Sequence, residues 1–320
     1  MRLVEKYRPT KWEEVIGQQK VISSIREILK RGFDNLPHFL FTGKPGTGKT
    51  TVAQLIAREL WGDKWRDHYV ELNASDERGI ETVRNLIKSI TQLSGQRLLL
   101  LDEADMMTFE AQHSLRRIME TTKSTVFILT ANQGWRIIEP IRSRCVVFNF
   151  EPISKDDILL RICQILKAEG IIPQTAEEES ALIKLAEYAN GDLRWAINTL
   201  ESLIGDGKIK MENIEVYLPL GQTEEVLNIT LQGNLQQGVE RMKELLAKIR
   251  PDDFVSSAYD WIGKVQDVEL RARLWTKLSE IEQRIRLGGN PHLHLTAFLA
   301  WVWALPHMRK EVMKGEAGQV

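Results

Sequence analysis

Up to about residue 153, short apolar runs alternate with stretches whose apolar positions recur every three or four residues; beyond it, only the second pattern continues. The first part opens with a basic and polar segment, then a helical spacing at Val21, Ile25, Ile28 and Leu29. The apolar run 37–42 ends at a glycine-rich turn and reads as a buried strand, followed by a helix over 49–61. Strands are expected at 69–73, 97–101, 126–130 and 145–150, with helices at 79–92 and 108–121. Unbroken apolar strands are covered on both faces, so the expected fold class is α/β, a mostly parallel sheet between helical layers. Glu151-Pro152-Ile153-Ser154 marks a boundary, and Ser154 with Asp157 looks like a helix start. The expected domains are a nucleotide-binding domain at 1–153, a small helical domain at 154–220 and an all-helical domain at 221–320.

Composition narrows this reading. The 320 residues carry a formal net charge of −1, so any contact with nucleic acid needs a local basic face or several subunits pooling theirs. Two cysteines, Cys145 and Cys163, make neither a disulfide framework nor a zinc site and fit a reducing compartment. The charged N-terminus shows no signal peptide, so a cytoplasmic location is expected, or a nuclear one in a eukaryote. The apolar segment 293–305 is shorter than the roughly 20 residues of a membrane span and reads as a buried helix. With Trp261, Trp275, Trp301, Trp303, Leu293, Leu295, Phe298 and Leu299, it suggests a helical core or a subunit interface.

Two motifs carry chemistry. Gly43-Lys44-Pro45-Gly46-Thr47-Gly48-Lys49-Thr50 matches G-x-x-x-x-G-K-[ST] between an expected strand and an expected helix. Glycines let the backbone wrap phosphate oxygens, and the helix N-terminus adds partial positive charge. Lys49 would reach the β- and γ-phosphates of ATP, and Thr50 would ligate Mg²⁺. About fifty residues on, Leu98-Leu99-Leu100-Leu101 runs into Asp102-Glu103-Ala104-Asp105. Asp102 would hold the metal, partly through water, and Glu103 would orient and deprotonate the attacking water. Phosphoryl transfer also needs groups that sense or neutralise the γ-phosphate. Asn132, Arg144 and Arg194 are candidates, though each alone fits an ordinary surface role as well.

Further segments resemble the replication factor C clamp-loader family of AAA+ ATPases. They are Val4-Glu5-Lys6-Tyr7-Arg8-Pro9 through Val15-Ile16-Gly17-Gln18, and Glu71 through Ile80. Two more are Ile138-Glu139-Pro140-Ile141-Arg142-Ser143-Arg144-Cys145 and Gly191-Asp192-Leu193-Arg194-Trp195-Ala196-Ile197-Asn198. The resemblance covers residues 3–200 in family order, and the helical remainder fits the family's collar. It implies that Val4, Tyr7, Arg8, Pro9, Val15 and Ile16 surround adenine and ribose, with Thr51 beside the phosphate loop. It makes Asn132 the first sensor and Arg194 the second, and Asn73 a switch coupling Glu103 to DNA. Arg144 becomes a finger donated to the ATP of a neighbouring subunit. The implied partners are a large subunit and further small subunits in a pentamer, a sliding clamp and primer-template DNA, with no membrane.

For DNA the resemblance points to Arg84, and more weakly to Lys88, four residues apart on one helix face. Arg116 and Arg117 receive no role. The connection Thr91-Gln92-Leu93-Ser94-Gly95-Gln96 is shorter than the family usually has near its clamp contact. Two rival readings are another AAA+ DNA motor, such as a branch-migration helicase, and a non-enzymatic scaffold subunit. The helical last third argues against the first, and the intact phosphate loop and acidic pair argue against the second.

Overall fold

A computed structural model describes residues 2–74, 95–205, 207–209, 220–247 and 249–316. The chain divides into two compact units, Met1–Met211 and Glu212–Val320.

The first unit is built on five strands, β1 His38–Gly43, β2 Tyr69–Asn73, β3 Arg97–Asp102, β4 Thr125–Ala131 and β5 Cys145–Phe150. They pair in the order β2-β3-β4-β1-β5, every pair parallel. The unbroken apolar runs have the cause expected of them. Phe39, Phe41, Leu98, Leu100, Val126 and Ile128 pack on one face, against the helices Gln19–Leu29 and Lys49–Trp61. Leu40, Leu99, Leu101, Phe127 and Leu129 pack on the other, against Ala111, Leu115, Ile118 and Met119 of the helix Phe109–Thr121. Parallel strands send all their C-terminal ends to one rim, so Gly43, Asn73, Asp102 and Ala131 are gathered there.

Side-chain caps set the helix starts. Thr108 accepts from the Ala111 amide, Ser154 from Asp157 and Asp192 from Trp195. Ser154 begins a three-helix cluster, Lys155–Ala168, Ala176–Tyr188 and Leu193–Leu203. A two-residue antiparallel pair, Ile204–Gly205 with Lys208–Ile209, follows it, an element that helical periodicity cannot announce. The cluster is joined to the sheet where the Ile153 amide donates to Gly191 O at 3.2 Å.

The described elements of the second unit are helices, at Leu220–Leu231, Leu235–Leu246, Pro251–Gly263, Val268–Arg286 and Pro291–Glu316. Its core holds Phe254, Trp261, Leu274, Ile281, Leu295, Phe298 and Leu299. Trp275 and Trp301 pack at its margin, and the Trp303 indole donates to Gly233 O at 2.9 Å. Leu293 falls outside this core: it is 66% exposed, in the first turn of its helix. Among the described residues no helix is long and apolar enough to cross a membrane. The helix expected over 79–92, with Arg84 and Lys88, lies outside the described residues, as do 91–94 of the short connection after it.

Candidate functional site: a phosphate loop beside an acidic strand end

β1 runs into the glycine-rich loop, and the helix Lys49–Trp61 begins directly after it. The first amides of a helix have no intrahelical partner and point along its axis, which makes this N-terminus a cradle for anions. Two glycines are there for space. A Cβ at Gly43 would lie 2.3 Å from Phe150 O on the neighbouring strand. One at Gly46, where φ is +69°, would lie 1.7 Å from the Asp192 carboxylate. Gln18, buried, pins the region by donating to Glu151 O at 2.7 Å and Thr47 O at 3.4 Å.

Lys49 is only 7% exposed. Its ammonium donates to Gly43 O at 2.7 Å, Lys44 O at 2.8 Å and Asn132 Oδ1 at 3.0 Å. Burial disfavours its charge and brings its pKa down to about 8, against the opposing pull of Asp102 and Asp105.

The acidic strand end is tied to this loop. Thr50 Oγ1 donates to the Asp102 carboxylate, at 3.1 Å to Oδ2 and 3.3 Å to Oδ1. Thr130, at the end of β4, also donates to Asp102, and accepts from the Glu103 amide at 3.0 Å. Glu103 takes φ 55° and ψ 41°, a left-handed conformation that costs a non-glycine residue about 1–3 kcal/mol. That turn carries the chain out of β3 and sets the Glu103 side chain at the cleft. Asp105, 5% exposed, accepts from the Gln133 amide at 3.0 Å and steadies the loop after Asn132.

A single cleft gathers most of the residues singled out from the sequence. Val4, Tyr7, Arg8, Pro9, Val15 and Ile16 wall one side. Pro45, Gly46, Thr47, Gly48, Lys49, Thr50 and Thr51 form the floor, and Asp102, Glu103 and Asn132 the acidic and amide side. Arg194 enters from the helix Leu193–Leu203. Gly43 and Lys44 are outside the lining; their carbonyls hold Lys49 instead. Asn73 is outside it too, and pairs with Asp102 in register across β2 and β3.

Arg144 lies elsewhere. It directly precedes Cys145, which pairs with His38 at the start of β1, whereas the phosphate loop leaves from Gly43 at the end of β1. Those ends are roughly 17 Å apart at about 3.3 Å per residue. Its guanidinium donates to Pro140 O at 2.7 Å and pairs with Glu120, which also accepts from Arg116 at 3.0 Å. Burial pushes the Cys145 thiol up to about 12, which makes it an inert packing group.

Thr130 and Arg161 at the site were not singled out from the sequence, and Gln18 and Asp192 stood in quoted segments without a role of their own. Thr130 and Asp192 left a trace, a hydroxyl ending an apolar strand and an acid at a helix start. Arg161 left none, and nothing local gave Gln18 its role, since their partners are distant in the chain.

A phosphate loop on a parallel sheet, facing an acidic strand end, defines a P-loop ATPase. The family described as "ATPase family associated with various cellular activities" matches residues 39–152. Thermotoga maritima RuvB, the Holliday junction branch migration motor, superposes with a TM-score of 0.56 at 16% identity. That likeness covers 79% of this chain and 92% of that one, and it shows a shared AAA+ fold. Sequence relatives reach further. The replication factor C small subunit of Archaeoglobus fulgidus is 38% identical, over 94% of this chain and 97% of that protein. That of Thermofilum pendens is 38% identical over 98% of both, and small subunit 1 of Pyrobaculum islandicum 39% identical over 92% of both. The chain belongs to the replication factor C small-subunit family, the clamp-loader AAA+ ATPases its motifs resemble.

Proposed function

We propose that this chain binds ATP with Mg²⁺ in the cleft and hydrolyses it to drive the placing of a sliding clamp on primer-template DNA. The observation that carries the reading is the chain of contacts Thr50–Asp102–Thr130–Glu103 beside the helix N-terminus. It joins the phosphate cradle to the group that would act on water.

Thr50 and Asp102 present hard oxygen donors side by side, which suits Mg²⁺, a cation held by one or two protein ligands with phosphates and water. When bound, Mg²⁺ would neutralise charge developing on the phosphates. Lys49 would exchange its carbonyl partners for β- and γ-phosphate oxygens, staying close to Asn132. Glu103, its backbone fixed by Thr130, would orient the attacking water and take its proton. Arg194 would meet the γ-phosphate from the helical cluster, which in this reading is a lid spanning 154–220. Residues 221–320 would form the collar that joins subunits.

Arg144 would serve the neighbouring subunit's ATP, a role supported by its place at the opposite end of the sheet from its own cleft. Partners of the same logic are a large subunit, further small subunits in a pentamer and the clamp. Arg84 and Lys88 would contact DNA phosphates, and Asn73, paired with Asp102, would relay DNA binding toward Glu103.

Glu103→Gln and Lys49→Ala separate the two halves of the site. Glu103→Gln should bind ATP normally while turnover falls at least about 100-fold, the scale of general-base catalysis. Lys49→Ala should lose binding itself. Nucleotide titration with steady-state ATPase measures both, and near-normal turnover in Glu103→Gln contradicts the assignment.

A further inference from the structure

Among the described residues, the cleft wall is fastened to the helical cluster through Leu3, Lys6 and Tyr7. Four contacts make the attachment. The Leu3 amide donates to Glu201 Oε1 at 3.2 Å, and the Tyr7 hydroxyl to Glu169 Oε1 at 2.6 Å. Lys6 Nζ donates to the same Glu169 oxygen at 2.6 Å, and Arg161 donates to Tyr7 O at 2.7 Å. Arg161 lies in the helix Lys155–Ala168, Glu169 is its C-cap, and Glu201 lies in Leu193–Leu203. Leu3, in the short helix Leu3–Lys6, is buried.

Past Pro9 the allegiance changes. Glu14 accepts from the Thr10 amide at 2.6 Å, and the Trp12 indole donates to Glu59 on the P-loop helix at 3.3 Å. Trp12 and Val15 belong to the core cluster of the sheet. Residues 3–8 therefore go with the helical cluster and Trp12 and Val15 with the sheet, and proline stands at the junction; Glu14 interacts electrostatically with Arg161 across it.

We propose that residues 3–8 are a strap belonging to the lid, and that Arg161 and Glu169 are positioning residues that set the nucleoside side of the cleft. The inference rests on the reading that ATP occupies this cleft. A nucleoside triphosphate would then touch both bodies, its phosphates the P-loop and its nucleoside the strap. Its affinity depends on how the strap is held. A polyphosphate without a nucleoside touches the P-loop and Arg194 but not the strap, so it is indifferent to how the strap is held.

Arg161 is half-buried and itself lines the cleft, where its charge acts on Glu14; its loss also leaves the Tyr7 carbonyl unpaired in the wall. Glu169 gathers two donors at one oxygen, so Glu169→Gln weakens both contacts and keeps the side chain's shape.

The test is calorimetric titration of the full chain with Mg·ATP and, separately, with Mg·tripolyphosphate. Glu169→Gln and Arg161→Ala should bind ATP about 5–20 times more weakly, the scale of one or two lost hydrogen bonds. Tripolyphosphate affinity should stay within about twofold, and Arg161→Lys should recover part of the ATP affinity by keeping a donor. Unchanged ATP affinity in both Glu169→Gln and Arg161→Ala overturns the proposal. So does a parallel fall for tripolyphosphate, which would mean a general loosening. Failure of the unaltered chain to bind either ligand would instead remove the ATP-site reading on which the strap rests. Glu169→Gln, at the surface, keeps the test standing if Arg161→Ala does not fold.

Discussion

In the proposed ATP site Lys49 would hold the phosphates, and its environment makes a pH prediction. Burial brings its pKa to about 8, so below that pH the ammonium is charged and ready for phosphate. Bound phosphates favour the charged form, so above about pH 8 ATP binding must draw a proton onto Lys49. Affinity should be flat below that value and fall by up to about tenfold per pH unit above it. The sign for stability is opposite. Between about 8 and the ordinary 10.5 the unfolded chain holds the extra proton, so Lys49 makes the nucleotide-free protein more stable as pH rises through that window. Titration in two buffers of different ionisation enthalpy should show proton uptake near zero at pH 7 and approaching one proton by about pH 9. No buffer dependence at the higher pH would contradict the account. Residues of this kind were legible because their motif is contiguous. Thr130 was not, although it touches both Asp102 and Glu103, because nothing local says that a hydroxyl on β4 will lie beside the end of β3.

At the scale of elements, the strands were legible because a run buried on both faces leaves little else for it to be, and one helix start because Ser154 caps it. The strap was not, since the helix Leu3–Lys6 has only 4 residues, too few to show a period. Nor was the approach of one element to another. Asp192 caps its own helix through the Trp195 amide at 2.9 Å and leans on Gly46 of the phosphate loop. Gly46→Ala must therefore expel the Asp192 carboxylate, and places alanine at a positive φ. The loss of the cap and the backbone strain each amount to about 1 kcal/mol. ATP affinity should fall as well, since the loop and Arg194 are displaced together. The contact itself is tested by a double-mutant cycle in denaturant. Gly46→Ala with Asp192→Ala should be less destabilised than the two single changes summed, by about 0.5–1 kcal/mol. Strict additivity would mean that the two residues do not meet.

For the whole molecule, the central proposal is that the chain's own cleft binds ATP while its Arg144 serves the site of a neighbouring subunit. Arg144 marks the difference, because the register of β5 on β1 puts it at the far end of the sheet. A finger brought from a neighbour offsets charge that builds on the γ-phosphate, and in GTPases this contributes roughly 10³–10⁵ in rate. Arg144→Ala should leave the fold and ATP binding of the isolated chain intact while hydrolysis in the assembled complex falls at least about tenfold. The most direct measurement mixes two inactive variants. Subunits carrying Arg144→Ala keep Glu103, and subunits carrying Glu103→Gln keep Arg144. Where they adjoin in the right order, one complete site forms. The account predicts that the mixture hydrolyses ATP faster than the two parents summed, with a maximum at intermediate ratios. Mixtures that never exceed the summed parental rates, with co-assembly confirmed, would contradict it.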